Sequence, residues 1–266
     1  MTLNKSTWAI AALASVVSAT AAVGISYLVT QQAIKTELPG AIAAHLASED
    51  EARITARRAE ILAPWAGAAD LNEPGKHIFG SLNADFTLVE FSDLECGFCK
   101  RFHETPKKLV EQAGGKINWE WQHYPLGFHN PAAEKAAHAA ECIAEDAGNQ
   151  AFWAFTGEWF ARSAMNGQGY DDIELLAREI GAKPEAFREC MASGRYKDLV
   201  KAQMDKGTAM GVTGTPATVV VDNTTGRQIM VKGAQQPQAL LQAISQLIEQ
   251  RSQPAMSPIQ EEQTDG

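Results

Sequence analysis

Two cysteines separated by two residues, Cys96-Gly97-Phe98-Cys99, are the residues of this chain whose type and spacing point most directly to chemistry. Thiols at that spacing can close a disulfide across the first turn of a helix, and the thiolate is the form that attacks a second disulfide. The same spacing supplies half of a tetrahedral zinc site. Zinc would need two further ligands, and the sequence has no second CxxC and no HxxxH, with Cys142 and Cys190 standing far apart. Redox chemistry, with no metal and no other cofactor, is therefore the expected use of the pair.

The thiols need elements to hold them. Upstream, Thr87-Leu88-Val89-Glu90-Phe91 is a short β-branched and aromatic run that reads as a strand. Downstream, Lys100 to Ala113 is helix-compatible and carries apolar Phe102, Leu109 and Val110, with a kink expected at Pro106. Cys96 would then sit at a helix N-terminus, where unpaired N–H groups and a partial positive charge stabilise a thiolate. That position makes Cys96 the expected attacking thiol. Cys99, one turn in and shielded, would resolve the mixed disulfide.

The stretch Glu90-Phe91-Ser92-Asp93-Leu94-Glu95-Cys96-Gly97-Phe98-Cys99 resembles the active site of DsbA-like thioredoxin-fold proteins. Gly211-Val212-Thr213-Gly214-Thr215-Pro216-Ala217, followed by the strand Thr218–Val221, resembles the same family's cis-proline loop. The resemblance covers residues 75 to 250. It implies an α/β thioredoxin fold with an inserted helical block, about residues 131–207, and thiol:disulfide oxidoreductase activity. It further implies a cis Thr215–Pro216 bond, so that Gly214, Thr215 and Pro216 present backbone to an extended substrate beside Cys96. Glu90 stands where these enzymes carry a buried acid, which implies proton exchange with Cys99 through water; a solvent-facing acid on an edge strand is the alternative. The pair Gly97-Phe98 lacks the histidine found between the cysteines of the family's strongest oxidants.

With 266 residues, 45% of them apolar, the chain can bury a packed core, and a net charge of −9 argues against a nucleic-acid partner. Trp8 to Val29 is 22 residues without a charge, expected as an uncleaved membrane anchor within residues 1–30, with cleavage after Ala19-Thr20-Ala21 as the alternative. Residues 31–63 read as a helical stalk interrupted at Pro39-Gly40. Its apolar residues Ile34, Leu38, Ile42 and Leu46 at four-residue spacing also suit a homo-oligomer. Pro64 to Gly80 reads as a linker opening the domain at 64–250, and residues 251–266 as a disordered tail.

Within the domain, Lys116 to Tyr124 alternates like a strand beside Thr87–Phe91, and helices are expected over 131–147, 152–162, 171–180, 184–191 and 197–210. A hairpin over 217–232 and a helix over 238–249 close it. Cys142 and Cys190 each stand on one of these helices. A structural disulfide is expected, with buried free thiols or a second redox relay as alternatives. Among the histidines only His103, four residues after Cys99, shares the active-site neighbourhood, and no catalytic role is assigned to it.

The expected function is that of a membrane-anchored oxidoreductase, outside the cytoplasm and in a bacterial periplasm, forming disulfides in cysteine-containing exported proteins. A membrane redox partner would recharge it. The alternatives are an oligomeric disulfide isomerase or reductant and, in another class, a non-catalytic assembly factor or holdase.

Overall fold

A computed structural model describes residues 5–71 and 73–251, with the side chains of residues 5–17, Ala19 and Val29 outside the description. The expected disordered tail lies, from residue 252 on, outside the described residues. The chain divides into two compact units, residues 1–56 and 57–266.

The first unit holds α1 (Lys5–Thr36) and most of α2 (Leu38–Leu62). Among the described residues no helix is long and apolar enough to cross a membrane, so the anchor expected over 8–29 finds no support in the structure. The side chains of Trp8 to Val17 lie outside the described residues. The break between α1 and α2 falls at Glu37, ahead of Pro39-Gly40 where the sequence placed it. Pro39 is tolerated in the first turn of α2, where its missing N–H costs no helical bond. Ile34, Leu38, Ile42 and Leu46 are all solvent-facing, 48% to 58% exposed.

The second unit begins earlier than the expected boundary at residue 64, because Ile61 already packs into its core with Trp65. The expected linker is also structured: its last part forms the strand β1 (His77–Phe79), three buried residues too short to show a period. The sheet has the order β1-β3-β2-β4-β5, with β2 (Phe86–Ser92), β3 (Ile117–His123), β4 (Ala217–Asp222) and β5 (Gln228–Lys232). The β2–β3 pair is parallel and the other pairs are antiparallel. β2, the middle strand, is buried along its whole length.

Alternation along β2 sorts its side chains. Phe86 and Leu88 enter the main core with Trp119, Trp121 and Val220, whereas Val89 and Phe91 join Val212, Ala217 and Val219 on the other face. Glu90, sharing the parity of Phe86 and Leu88, is thereby turned into the main core. On the second face, α9 (Lys197–Ala209) comes so near that a Cβ at Gly207 would lie 2.7 Å from the Phe91 ring.

Between β3 and β4 runs the helical block: α5 (Ala132–Ala147), α6 (Asn149–Arg162), α7 (Ile173–Ile180), α8 (Pro184–Ser193) and α9. Local signals set its ends. Asp172 caps α7 by accepting from Leu175 N–H, and Pro184 opens α8 where no N–H is needed. A buried polar knot ties block to sheet. Glu141 on α5 accepts from His77 on β1 and His123 on β3 at 3.0 and 3.1 Å, while Asn149 holds the other nitrogen of His77. Burial pushes the Glu141 carboxyl up, but the charge of His77 and the hydrogen bonds from His123 and His77 outweigh it and hold it well below the usual range.

The Cys142 and Cys190 sulfurs lie at bonding distance, 1.95 Å, joining α5 to α8 across a separation of 48 residues. Among the described residues His138 lies with these two cysteines close enough for three metal-ligand atoms to meet, but the two sulfurs are bonded to each other. The closing helix α10 (Pro237–Arg251) ends with the Arg251 guanidinium bidentate on Asp222 at 2.6 Å. Replacing both Cys142 and Cys190 by Ala is expected to destabilise the protein by about 4 kcal/mol, from loop closure, while leaving thiol exchange at Cys96 intact. Urea unfolding together with an exchange assay measures both; unchanged stability would dismiss the bridge as a staple.

Candidate active site

Cys96 is the N-cap of α3 (Gly97–Phe102), with extended backbone (φ −84°, ψ 119°), and its carbonyl accepts from Lys100 N–H. The helix breaks at His103 and resumes as α4 (Glu104–Gln112), because Pro106 cannot donate to the carbonyl four residues back, that of Phe102. The expected kink is therefore placed three residues before the proline. Cys96 is less open than its position suggested, only 5% exposed, though still more accessible than the fully buried Cys99.

The two thiols are driven apart. The Cys96 thiol is lowered to about 5, chiefly by a hydrogen bond from the Cys99 thiol; burial opposes this and the backbone N–H groups of Cys99 and Phe98 assist it, while the nearby Thr215 hydroxyl makes no well-formed hydrogen bond. Cys99 is pushed well above its ordinary value by burial, by its bond to Cys96 and by the negative charges of Cys96 and Glu90. The sulfur of Cys96 lies 3.6 Å from the carbonyl oxygen of Thr215. The Thr215–Pro216 bond is cis. Pro216 is buried, with Gly214 and Thr215 half-buried beside the cysteine. The structure thus brings the two stretches, 119 residues apart, onto one spot.

Glu90 is wholly buried, and desolvation raises its carboxyl to about 8, with the nearby Ser92 and Trp119 side chains opposing the shift and the charge of Cys96 adding to it. Neither of its oxygens has a well-formed hydrogen bond, nor have the Ser92 and Thr218 hydroxyls on the same sheet face. It is placed in the interior, not on a solvent-facing edge. Burial keeps it protonated at neutral pH, close enough to Cys99 for a charge on it to raise that thiol.

His103 is buried against Trp65, Trp119, Trp121 and Phe160. Burial, helped by the Lys107 cation, lowers it to about 3, so it stays neutral and offers no charge to the site. Two residues that sequence reasoning passed over organise the approach to Cys96. Asp93 accepts from Glu95 N–H, from Leu126 N–H and from His129 Nδ1 at 2.6 Å. Glu95 is 0% exposed and accepts from Trp159, Ser163, Gly167 and Gly169. A polar side chain in a loop next to a cysteine carries no periodic signal, and the partners of Glu95 lie 64 to 74 residues away.

Raising the folded pKa of Glu90 from 4.5 to about 8 means that it supports the fold below pH 4.5 and withdraws that support as pH rises towards 8. Glu90→Gln stays neutral throughout and is expected to be the more stable protein at pH 9, by a few kcal/mol at about 1.36 kcal/mol per pKa unit. Urea unfolding of both proteins from pH 5 to 9 measures the difference. Parallel curves would remove Glu90 from this role.

Comparison with known proteins follows the same lines. The thioredoxin family model matches residues 72–246. Among solved structures, DsbA2 of Pseudomonas aeruginosa superposes with a TM-score of 0.60 at 31% identity, over 69% of this chain and 100% of that one. BdbD of Bacillus subtilis, in its oxidised form, shares the fold at 23% identity and a TM-score of 0.52, over 66% of this chain and 92% of that one. Two curated relatives are named Na(+)/H(+) antiporters. NhaA 3 of Salinispora tropica is 28% identical over 75% of this chain and 29% of its own length, and NhaA 1 of Salinispora arenicola is 30% identical over 62% and 25%. The chain thus spans less than a third of the length of these antiporters. Family model, fold and the match to DsbA2 agree with the site, and the chain belongs to the DsbA-like, thioredoxin-fold thiol:disulfide oxidoreductases.

Proposed function

We propose that the protein forms disulfides in exported proteins, with Cys96 and Cys99 as its oxidising pair. The observation that carries this reading is the placing of Cys96 at the N-cap of α3, one turn from the wholly buried Cys99 and 3.6 Å from Thr215 of the cis Thr215–Pro216 loop; the directions in which the two thiols are shifted, Cys96 down and Cys99 up, agree with it. A stabilised thiolate lowers the reduced state, so the disulfide between the two cysteines passes on its oxidising equivalents readily.

In the forward reaction a substrate thiolate attacks the Cys96 sulfur. The bond to Cys99 breaks, and Cys99 leaves with a proton from neutral Glu90, which solvent then restores. A second substrate thiolate attacks the substrate sulfur of the mixed disulfide, expelling Cys96 as a thiolate. The substrate has lost two electrons to the pair, and a membrane-bound electron acceptor would return the pair to its disulfide.

Gly214, Thr215 and Pro216 would offer backbone to an extended substrate, as an added strand. Phe98 and Phe128, 59% and 78% exposed, would meet its apolar side chains; Phe128 adjoins His129, which Asp93 holds beside the active-site loop. Cys99→Ser is expected to accumulate mixed disulfides through Cys96, and Cys96→Ser to accumulate none. Trapping by Cys96→Ser alone would reverse the roles, and assembly of exported proteins undiminished in Cys96→Ser would favour a holdase, which needs no thiol.

The exposed row Ile34, Leu38, Ile42 and Leu46 favours a second reading, an oligomeric isomerase in which several active sites hold one misfolded chain at high effective concentration. Residues 31–266 are then expected to form oligomers and to refold a scrambled multi-disulfide substrate faster than residues 57–266. Equal mass per chain and equal refolding in both would leave the monomeric oxidase.

A further inference from the structure

The residue immediately before the nucleophile is held more firmly than any demand of packing requires. Glu95 is a wholly buried carboxylate with a donor on every side. Trp159 Nε1 and Ser163 Oγ donate to Oε1 at 3.0 and 2.8 Å, and the N–H groups of Gly167 and Gly169 donate to Oε2 at 2.9 and 3.0 Å. Its main chain is engaged as well. Its N–H donates to Asp93 Oδ1 at 2.7 Å, and its carbonyl accepts from Asn166 N–H at 2.8 Å.

The receiving turn is built for an anion at a backbone cost. Met165, Asn166, Gly167 and Gly169 all have positive φ, 66°, 54°, 83° and 71°, and Met165 and Asn166 are the only non-glycine residues in that region among the described residues. Successive N–H groups in such a conformation converge on one point and form an anion-binding nest. Left-handed backbone at non-glycine residues persists only where the surroundings hold it. Here the occupant is a side chain of the same protein, and Ser163 Oγ, which also accepts from Met165 N–H at 3.0 Å, braces the turn.

We propose that Glu95 is a positioning residue for thiol exchange: locked into the nest at residues 165–169, it fixes the backbone at Cys96 so that the sulfur stays within reach of Cys99, Thr215 and the N–H groups of Phe98 and Cys99. The helical block thereby sets the reactivity of a cysteine that it does not itself contain. The inference rests on the redox reading of Cys96 above. Its four donors compensate the carboxylate, so Glu95 acts through geometry, and loss of its grip lets the Cys96 sulfur drift from its donors.

The test is the titration of the Cys96 thiolate, followed by ultraviolet absorbance in the reduced protein. Glu95→Gln keeps the shape but turns an amide N–H₂ towards donors. It is expected to move the titration upwards by about one pH unit and to slow alkylation of Cys96 below pH 6 accordingly. Ser163→Ala, which removes a single donor and spares the carboxylate, is expected to move it in the same direction by less, and it serves where Glu95→Gln does not fold. Titrations unchanged from the parent, in variants folded by circular dichroism, would reduce Glu95 to a structural role and overturn the proposal. A downward move would overturn it too, by showing that the charge of Glu95 acts directly on the thiolate. A parent with no thiolate below neutral pH would strike at the redox reading itself, an outcome distinct from both.

Discussion

A sulfur shut away from water can hold a negative charge only where donors replace the water it has lost. Cys96, almost fully buried, meets this constraint with three groups: the Cys99 thiol and the N–H groups of Phe98 and Cys99. One helical turn supplies them all, since an N-cap position faces the free N–H groups of the first turn and places the second cysteine just behind. Cys99, in the same surroundings, has burial and the negative charge of Cys96 against ionisation. Two identical side chains set one turn apart are thus shifted in opposite directions.

The neighbouring acid and the cis-proline loop come from the sheet. β2 runs up the middle, and the parity of its residues decides that Glu90 points inward, beneath the cysteines, while Val89 and Phe91 point the other way. A carboxyl in that place stays neutral up to about pH 8 because ionising it would leave a charge with no well-formed hydrogen bond. β4, paired antiparallel to β2, starts directly after Pro216 and so brings the Thr215 loop to the top of the same strand, beside Cys96.

The helical block does more than cover the sheet. Its disulfide between α5 and α8 and the Glu141 contacts to His77 and His123 fix it to itself and to β1 and β3. Its donors also grip Glu95, the residue before Cys96. Buried glutamates therefore appear in two settings here. Glu141 and Glu95 are each met by several donors, whereas Glu90 is left without a well-formed bond and its carboxyl is raised accordingly.

The amino-acid sequence by itself determined what depends on near neighbours. The CxxC spacing, the β-branched run before it, Pro106 in the following helix, Asp172 and Pro184 at helix starts and the polar turn at 223–226 act within a few residues, so each could be read from its own stretch. The expectation of a redox pair at Cys96 and Cys99, the strands β2 to β5 and the helices between them followed from such signals. Tertiary structure alone decided which distant groups meet: that β1 is a strand at all, that Ile61 belongs to the globular core, that Cys96 is nearly closed to solvent, and that Glu95 finds its donors in α6 and the turn after it. Those outcomes rest on contacts between distant residues, such as Glu95 with Trp159, 64 positions apart, and Cys96 with Thr215, 119 apart, and no local period or cap encodes a partner at that distance.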